Sequence, residues 1–309
     1  MFELVFLGTA GSVPSVERGL PALLVRFGRH RVLIDCGEGT QRQLRRSGAG
    51  YRRIDRILLT HEDLDHVLGL AGLTATLALQ ADDRALTIHG GKATLRFVQR
   101  YLVDTVWDGR PPLALTLEAL MPGRVWEGDG FRIDCFRVRH RDTDSFGFRF
   151  CELGRRHLEP ALATALGIPE GPAWHDLAHG VAVILADGRR IEPDAVLGPQ
   201  LPGAAIVVIG DVEETDSLCD AARGVDALVV EASFLARDGR LARQRGHLTA
   251  AAAGRFAAEC GVGALYLTHI SERYGGAEVL DEARRHFARA HLAADLERVV
   301  VSRTGANSP

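Results

Sequence analysis

The sequence predicts an α/β (α+β) fold in which two mixed β-sheets pack together, helices lie outside them, and one arm is inserted. Three observations carry this. Short strand-like runs alternate with helical ones along all 309 residues, a pattern that suits packed layers of both element types. Apolar residues make up 46% and charged residues 25%, the balance of a globular chain with a sizeable core. The stretch 152–203 departs from the rest, with Pro160, Pro169, Pro172, Pro193, Pro199 and Pro202 among several glycines. It reads as an arm inserted into a single domain spanning 1–309.

Taken in order, residues 3–7, 22–27 and 31–35 read as strands separated by Gly and Pro clusters. Residues 40–47 read as a helix, 56–60 as a strand and 67–80 as an apolar helix. Further strands are expected at 86–89, 131–138, 146–150, 206–209, 227–230 and 264–268, and helices at 215–222, 249–260 and 277–290. Residues 1–7 lack a basic leader and read as a first strand, not a signal peptide. No apolar run nears the roughly 20 residues needed to span a bilayer, so no membrane role is expected. The five cysteines are odd in number and form no Cys-x-x-Cys pair, which argues for free thiols in a cytoplasmic protein. A net charge of −3 gives no general attraction for nucleic acid, and RNA binding would need a local basic patch.

The densest chemistry is Thr60-His61-Glu62-Asp63-Leu64-Asp65-His66, delivered by the apolar run Ile57-Leu58-Leu59. Imidazoles and carboxylates packed into one turn suit zinc and similar borderline metals. The bland reading is a solvated strand-end loop with a helix cap. Farther along, His140 follows the strand 131–138, Asp211 follows 205–209 and His269 follows Leu265-Tyr266-Leu267. Any one such residue alone is more often a hydrogen-bonded strand end than a ligand.

Together these segments resemble the metallo-β-lactamase superfamily, whose hallmark loop reads His-x-His-x-Asp-His, with Asp63 standing here at the second histidine. The resemblance implies the αββα sandwich of that superfamily and two ligand sets: His61, Asp63 and His140 for one metal, Asp65, His66 and His269 for the other, with Asp211 bridging. Two Zn2+ per subunit are implied, and the extra carboxylate of Asp63 leaves Mn2+ or Fe2+ open. Asp65 would also orient the attacking water.

Several segments are similar to the ribonuclease Z family in particular. They are Leu7-Gly8-Thr9-Ala10-Gly11-Ser12-Val13-Pro14-Ser15, Asp35-Cys36-Gly37-Glu38-Gly39-Thr40-Gln41, Glu231-Ala232-Ser233-Phe234 and His247-Leu248-Thr249-Ala250-Ala251. This resemblance implies a metal-dependent endoribonuclease that removes the 3′ trailer from precursor tRNA. His247 would protonate the leaving oxygen, Glu231 would orient His247, and Asp35 would orient a ligand. It further implies a homodimer, and an arm that grips tRNA through a tip at Gly171 and Pro172, with Arg18 as a second RNA contact. The arm is acid-leaning, with Arg155, Arg156, Arg189 and Arg190 against seven acidic side chains. Two other readings stay open: a phosphodiesterase for a small or cyclic substrate, and a metal-poor, inactive RNA-binding homologue.

Overall fold

The computed structural model describes residues 1–79 and 85–303. The chain forms two compact units, Met1–Cys151 with Ala204–Pro309 and, separately, Glu152–Gly203. Its strands are β1 (Phe2–Gly8), β2 (Ala22–Phe27), β3 (His30–Ile34), β4 (Ile54–Leu58), β5 (Ala85–Gly90), β6 (Ala114–Ala119), β7 (Gly123–Gly128), β8 (Phe131–Val138) and β9 (Ser145–Glu152). After them come β10 (Arg155–Leu158), β11 (Val183–Ile184), β12 (Arg190–Ile191), β13 (Leu197–Leu201), β14 (Ala205–Val208), β15 (Ala227–Glu231), β16 (Ala264–Thr268), β17 (Ala290–Leu292) and β18 (Arg298–Val301).

In the larger unit, one sheet runs β18-β1-β2-β3-β4-β5-β6 and the other β17-β16-β15-β14-β9-β8-β7. Residue alternation explains the layering. On β1, Phe2, Leu4 and Phe6 face the space between the sheets and meet Phe131, Phe148, Phe150 and Ile206 of the second sheet. Val5 and Leu7 point the other way, into a cluster with Leu70, Leu73 and Leu77 of the helix Leu70–Ala78. The second sheet turns Val207, Leu228, Val230, Leu265 and Leu267 toward Phe256 and Ala257 of the helix Ala250–Cys260. Both sheets are therefore buried on both faces, and the layers run helix, sheet, sheet, helix, as the sequence predicts. Aromatic contacts cross between the sheets, with Phe27 and Phe131 centroids 4.9 Å apart and Phe2 and Phe150 6.2 Å apart.

Connectivity positions the site. β3 and β4 pair in parallel, and so do β14, β15 and β16. Neighbouring parallel strands end on one edge, so the loops after them emerge side by side. Asp35 follows β3, the Thr60–His66 cluster follows β4, Asp211 follows β14, Glu231 ends β15 and His269 follows β16.

Some expectations need correction. The helix expected at 215–222 forms only at Cys219–Ala222, because Thr215 and Leu218 are joined by a turn. The helix expected at 277–290 ends at Arg284, since Ala290–Leu292 pairs with β16 as an added strand. The expected 67–80 helix is two pieces, Leu64–Val67 and Leu70–Ala78, parted where the Gly69 amide bonds the Cys36 carbonyl. Its last position, Gln80, lies outside the described residues. Strands β6, β7, β17 and β18 and the helix Lys92–Val98 carry patterns too short or too exposed to predict.

The smaller unit pairs β10 with β13 and β11 with β12, adds helices Pro160–Ala165 and Pro172–Ala178, and centres on Ala163, Ile168, Leu177, Ile191 and Val196.

Candidate metal centre

The loop edge gathers all seven residues expected as ligands. Asp211 stands at the middle. Its Oδ1 lies 3.4 Å from His66 Nε2 and 3.2 Å from His269 Nε2, while its Oδ2 lies 3.7 Å from His61 Nε2 and 3.9 Å from His140 Nε2. Asp63 Oδ2 joins the second pair, 3.6 Å from His61 Nε2 and 3.7 Å from His140 Nε2. Asp65 Oδ2 joins the first, 3.3 Å from His269 Nε2 and 3.6 Å from His66 Nε2. One carboxylate thus faces two groups of nitrogen and oxygen donors, one on each of its oxygens.

The hydrogen bonds behind the imidazoles aim every Nε2 inward. His66 Nδ1 donates to Asp35 Oδ2 at 2.8 Å, which is where the ligand-orienting role expected for Asp35 would act. The Thr60 hydroxyl donates to Asp35, so it accepts from His61 Nδ1 at 2.9 Å. Ser233 likewise donates to Glu231 Oε2 at 2.5 Å and accepts from His269 Nδ1 at 2.8 Å. His140 Nδ1 donates to the Gly246 carbonyl at 2.7 Å. In all four rings Nδ1 is committed to a hydrogen bond, so Nε2 is the nitrogen left to face a cation. Asp35 and His269 hold positive φ values of 55°, a strained backbone that the surrounding packing must maintain.

A cation fits this arrangement. His61 Nε2, His66 Nε2 and Asp211 Oδ1 are buried without a hydrogen-bond partner, and such orphaned atoms are costly in a folded protein. Their ligand atoms cluster tightly with those of Asp63, Asp65, His140 and His269. Electrostatics agree. Burial alone would raise the Asp211 carboxyl, but the surrounding His269 and His66 charges hold it well below the usual range. Burial also opposes ionisation of Asp65, yet bonding to His269 and the charge of His66 bring it down to about 2. His66 and His269 are pushed the other way: burial disfavours their charge, and Asp211 outweighs it. Such a carboxylate field favours any cation, whether a proton or a divalent metal.

Beside the cluster, His247 Nδ1 lies 3.1 Å from both oxygens of Glu231, which is fully buried and also accepts the Val212 amide at 2.7 Å. Burial works against the His247 charge, but Glu231 overcomes it and raises the imidazole to about 9. His247 therefore carries a proton at neutral pH. It lines a cleft of about 410 Å³ shared with Ser12, Asp63, Arg141, Phe234, Arg245 and Arg273.

The expected RNA contacts fare differently. Arg18 Nη1 is engaged with Thr9 Oγ1 at 2.6 Å and the Ala293 carbonyl at 2.7 Å, so the side chain ties down its own loop. Gly171 and Pro172 are exposed at the start of a short helix in the smaller unit. There Arg156 pairs with Asp194, Arg189 with Asp187 at 2.6 Å and Arg190 with Glu192 at 2.7 Å. The side chain of Arg155 lies outside the described residues. Sequence reasoning missed Thr60 and Ser233 as hydroxyl relays, although both stand inside quoted motifs. It also missed Arg141, whose partner Asp63 lies 78 positions away and gives no local signal.

Comparison with known proteins bears on the family and the fold. A family model described as "Anti-Pycsar protein Apyc1" matches residues 2–156, half of the chain. Ribonuclease Z of Bradyrhizobium diazoefficiens is 54% identical over 97% of this chain and all of its own length. Ribonuclease Z of Archaeoglobus fulgidus is 38% identical, covering 98% of each chain. The fold is shared with human tRNase Z, short form, at a TM-score of 0.69 and 24% identity over 97% of this chain and 99% of that one. It is shared too with the metallo-β-lactamase fold protein YhfI from Bacillus subtilis, at a TM-score of 0.70 and 19% identity over 96% and 98% of the two chains. Over residues 2–156 the chain belongs to the family of the Apyc1 model, and over its whole length it belongs to the ribonuclease Z family of metallo-β-lactamase-fold, metal-dependent hydrolases.

Proposed function

We propose that this chain is an endoribonuclease that removes the 3′ trailer of precursor tRNA by metal-assisted hydrolysis of one phosphodiester bond. The observation that carries the reading is the division of Asp211 between two donor groups, with the Glu231–His247 pair at their side. His61, Asp63 and His140 would hold one divalent cation, Asp65, His66 and His269 a second, with Asp211 shared between them. The imidazole-rich donor set favours Zn2+, and the carboxylate of Asp63 admits Mn2+ or Fe2+. Such a pair, when bound, lowers the pKa of a water and stabilises the attacking and leaving oxygens of an in-line displacement.

The chain's own residues supply the rest. Asp65 Oδ2 accepts from the Ser12 amide at 2.9 Å and is held ionised beside the cluster, placed to orient the attacking water. A ribose 3′-oxyanion is a poor leaving group near neutral pH and needs a proton. With Nδ1 committed to Glu231, His247 has its Nε2 proton to give. The products are a 3′-hydroxyl on the tRNA and a 5′-phosphate on the trailer. Arg141, Arg245 and Arg273 line the same cleft, and their guanidinium groups suit phosphate oxygens. A cytoplasmic homodimer, with the arm as the tRNA-gripping element, belongs to the same reading and rests on family membership. No helix among the described residues is long and apolar enough to cross a membrane.

The test is cleavage of a precursor tRNA by chelator-treated protein, with zinc, manganese or magnesium restored singly. Cleavage at the trailer junction in one or more arms supports the proposal, and its absence in all of them refutes it. A second reading, hydrolysis of a small or cyclic phosphodiester, is favoured by the paired arginines of the arm and the anchored Arg18. Turnover of a chromogenic diester without trailer removal would select it.

A further inference from the structure

The two donor groups are not equivalent. Around Asp211 Oδ1, His66 Nε2 and Asp211 Oδ1 itself are buried and unpaired, open to a cation. Around Asp211 Oδ2 the situation differs, because a protein cation is already present. Arg141 follows His140 in the chain, holds a positive φ of 48°, and bends its guanidinium back over the site. Its Nε donates to His140 Nε2 at 3.1 Å, and its Nη2 pairs with Asp63 Oδ2. Two donor atoms expected for one metal are thus occupied by a guanidinium. Only His61 Nε2 in that group remains buried and unpaired.

The neighbourhood holds this conformation. The Arg141 amide donates to Glu213 Oε2 at 3.0 Å. The chain at Gly246 comes so close that a Cβ there would lie 2.7 Å from Arg141 Cγ and 3.1 Å from His140 Nδ1. Gly246 also has φ 77°, so this approach needs glycine. An arginine stays charged at every accessible pH and offers a planar fork suited to a carboxylate. A histidine at position 63 could not form that ion pair, whereas Asp63 does.

Resting on the metal-site reading above, we infer that Arg141 is an internal cation competing for the His61–Asp63–His140 position, so that the two metal positions differ in affinity. The position formed by Asp65, His66, His269 and Asp211 fills first. The other fills only when the guanidinium swings away, which its half-exposed side chain permits. Asp63 and Arg141 act as a matched pair that keeps the local charge balanced without the second ion.

Titration of chelator-stripped full-length protein with Zn2+, by calorimetry and by metal content after gel filtration, tests this. The unaltered chain should retain about one ion, with a second bound on the order of a hundredfold more weakly, since a guanidinium and a dication repel across a few ångströms. Arg141→Met should strengthen the second event at least about tenfold and bring retained metal toward two ions, by removing that repulsion. Asp63→His should act in the same direction by dismissing the arginine's partner. His269→Ala should lose the tight ion, and His140→Ala only the weak one. Two ions of similar affinity in the unaltered chain, or a second event unmoved in both Arg141→Met and Asp63→His, would overturn the inference. No ion bound by any variant would instead refute the metal reading on which it rests.

Discussion

Asp211 is where the two donor groups meet, and its burial makes it unforgiving. Removing its carboxylate leaves four imidazoles facing one another without the charge that draws a cation. Asp211→Ala is expected to abolish turnover and to lower retained metal, both measurable on the same sample; retained activity would exclude the shared-carboxylate scheme. Asp35 acts one step removed, through His66 Nδ1 and Thr60. Partners of this kind tune affinity by about 10- to 100-fold, so Asp35→Asn should weaken metal binding on that scale while the fold persists. His247 gives a pH signature. On the proposed role of His247 as proton donor, the competent form is the protonated one; its pKa is raised to about 9, so kcat should fall as pH rises through that value. Glu231 sustains the raised value, so Glu231→Gln should move the falling limb to lower pH. His247→Ala should cost about 10²–10⁴ in kcat. A falling limb that stays put in Glu231→Gln would separate His247 from the proton transfer.

At the scale of elements, the sheets act as a ruler for the loops. Each candidate ligand sits one to five residues beyond an apolar strand, or on the short helix after one, so its position depends on strand register. Register depends in turn on alternation between the inner and helix-facing clusters. Phe131 links β8 to Phe2 and Phe27 across the inner layer. Phe131→Ala should destabilise by about 3–5 kcal/mol, the usual cost of an aromatic cavity, as read by chemical unfolding. A loss below about 1 kcal/mol would mean that the layer can collapse around the void. The strands that sequence reasoning found, such as β2, β8 and β16, have strong patterns, and the ones it missed lie at sheet margins. β6 is half-exposed and offers only a brief alternation at Leu115 and Leu117, and β7 offers none to read. β17 has three residues and is a strand only because β16 lies beside it.

At the scale of the whole molecule, the arm is a separable module. Glu152–Gly203 has its own small apolar centre, and its ends meet closely enough that a Cβ on Gly203 would lie 2.4 Å from the Glu152 carbonyl oxygen. Cys151 and Ala205, which flank it, are already paired between β9 and β14. Replacing the arm with a short glycine linker should leave thermal unfolding of the larger unit cooperative, since no strand of either main sheet begins inside it. If the arm grips tRNA, KM for precursor tRNA should rise while turnover of a small diester holds steady. Equal effects on both substrates would argue against that role. The sequence by itself determined the layered architecture, because strand alternation is a local pattern, and its resemblance to the metallo-β-lactamase superfamily named the seven candidate ligands. Tertiary structure alone decided which nitrogen each histidine turns inward, that Arg18 is tied to its own loop, and that Arg141 reaches Asp63. Apart from the Thr60–His61 and Thr9–Arg18 bonds, these are contacts between residues distant in the chain, made by side-chain geometry that no local pattern encodes.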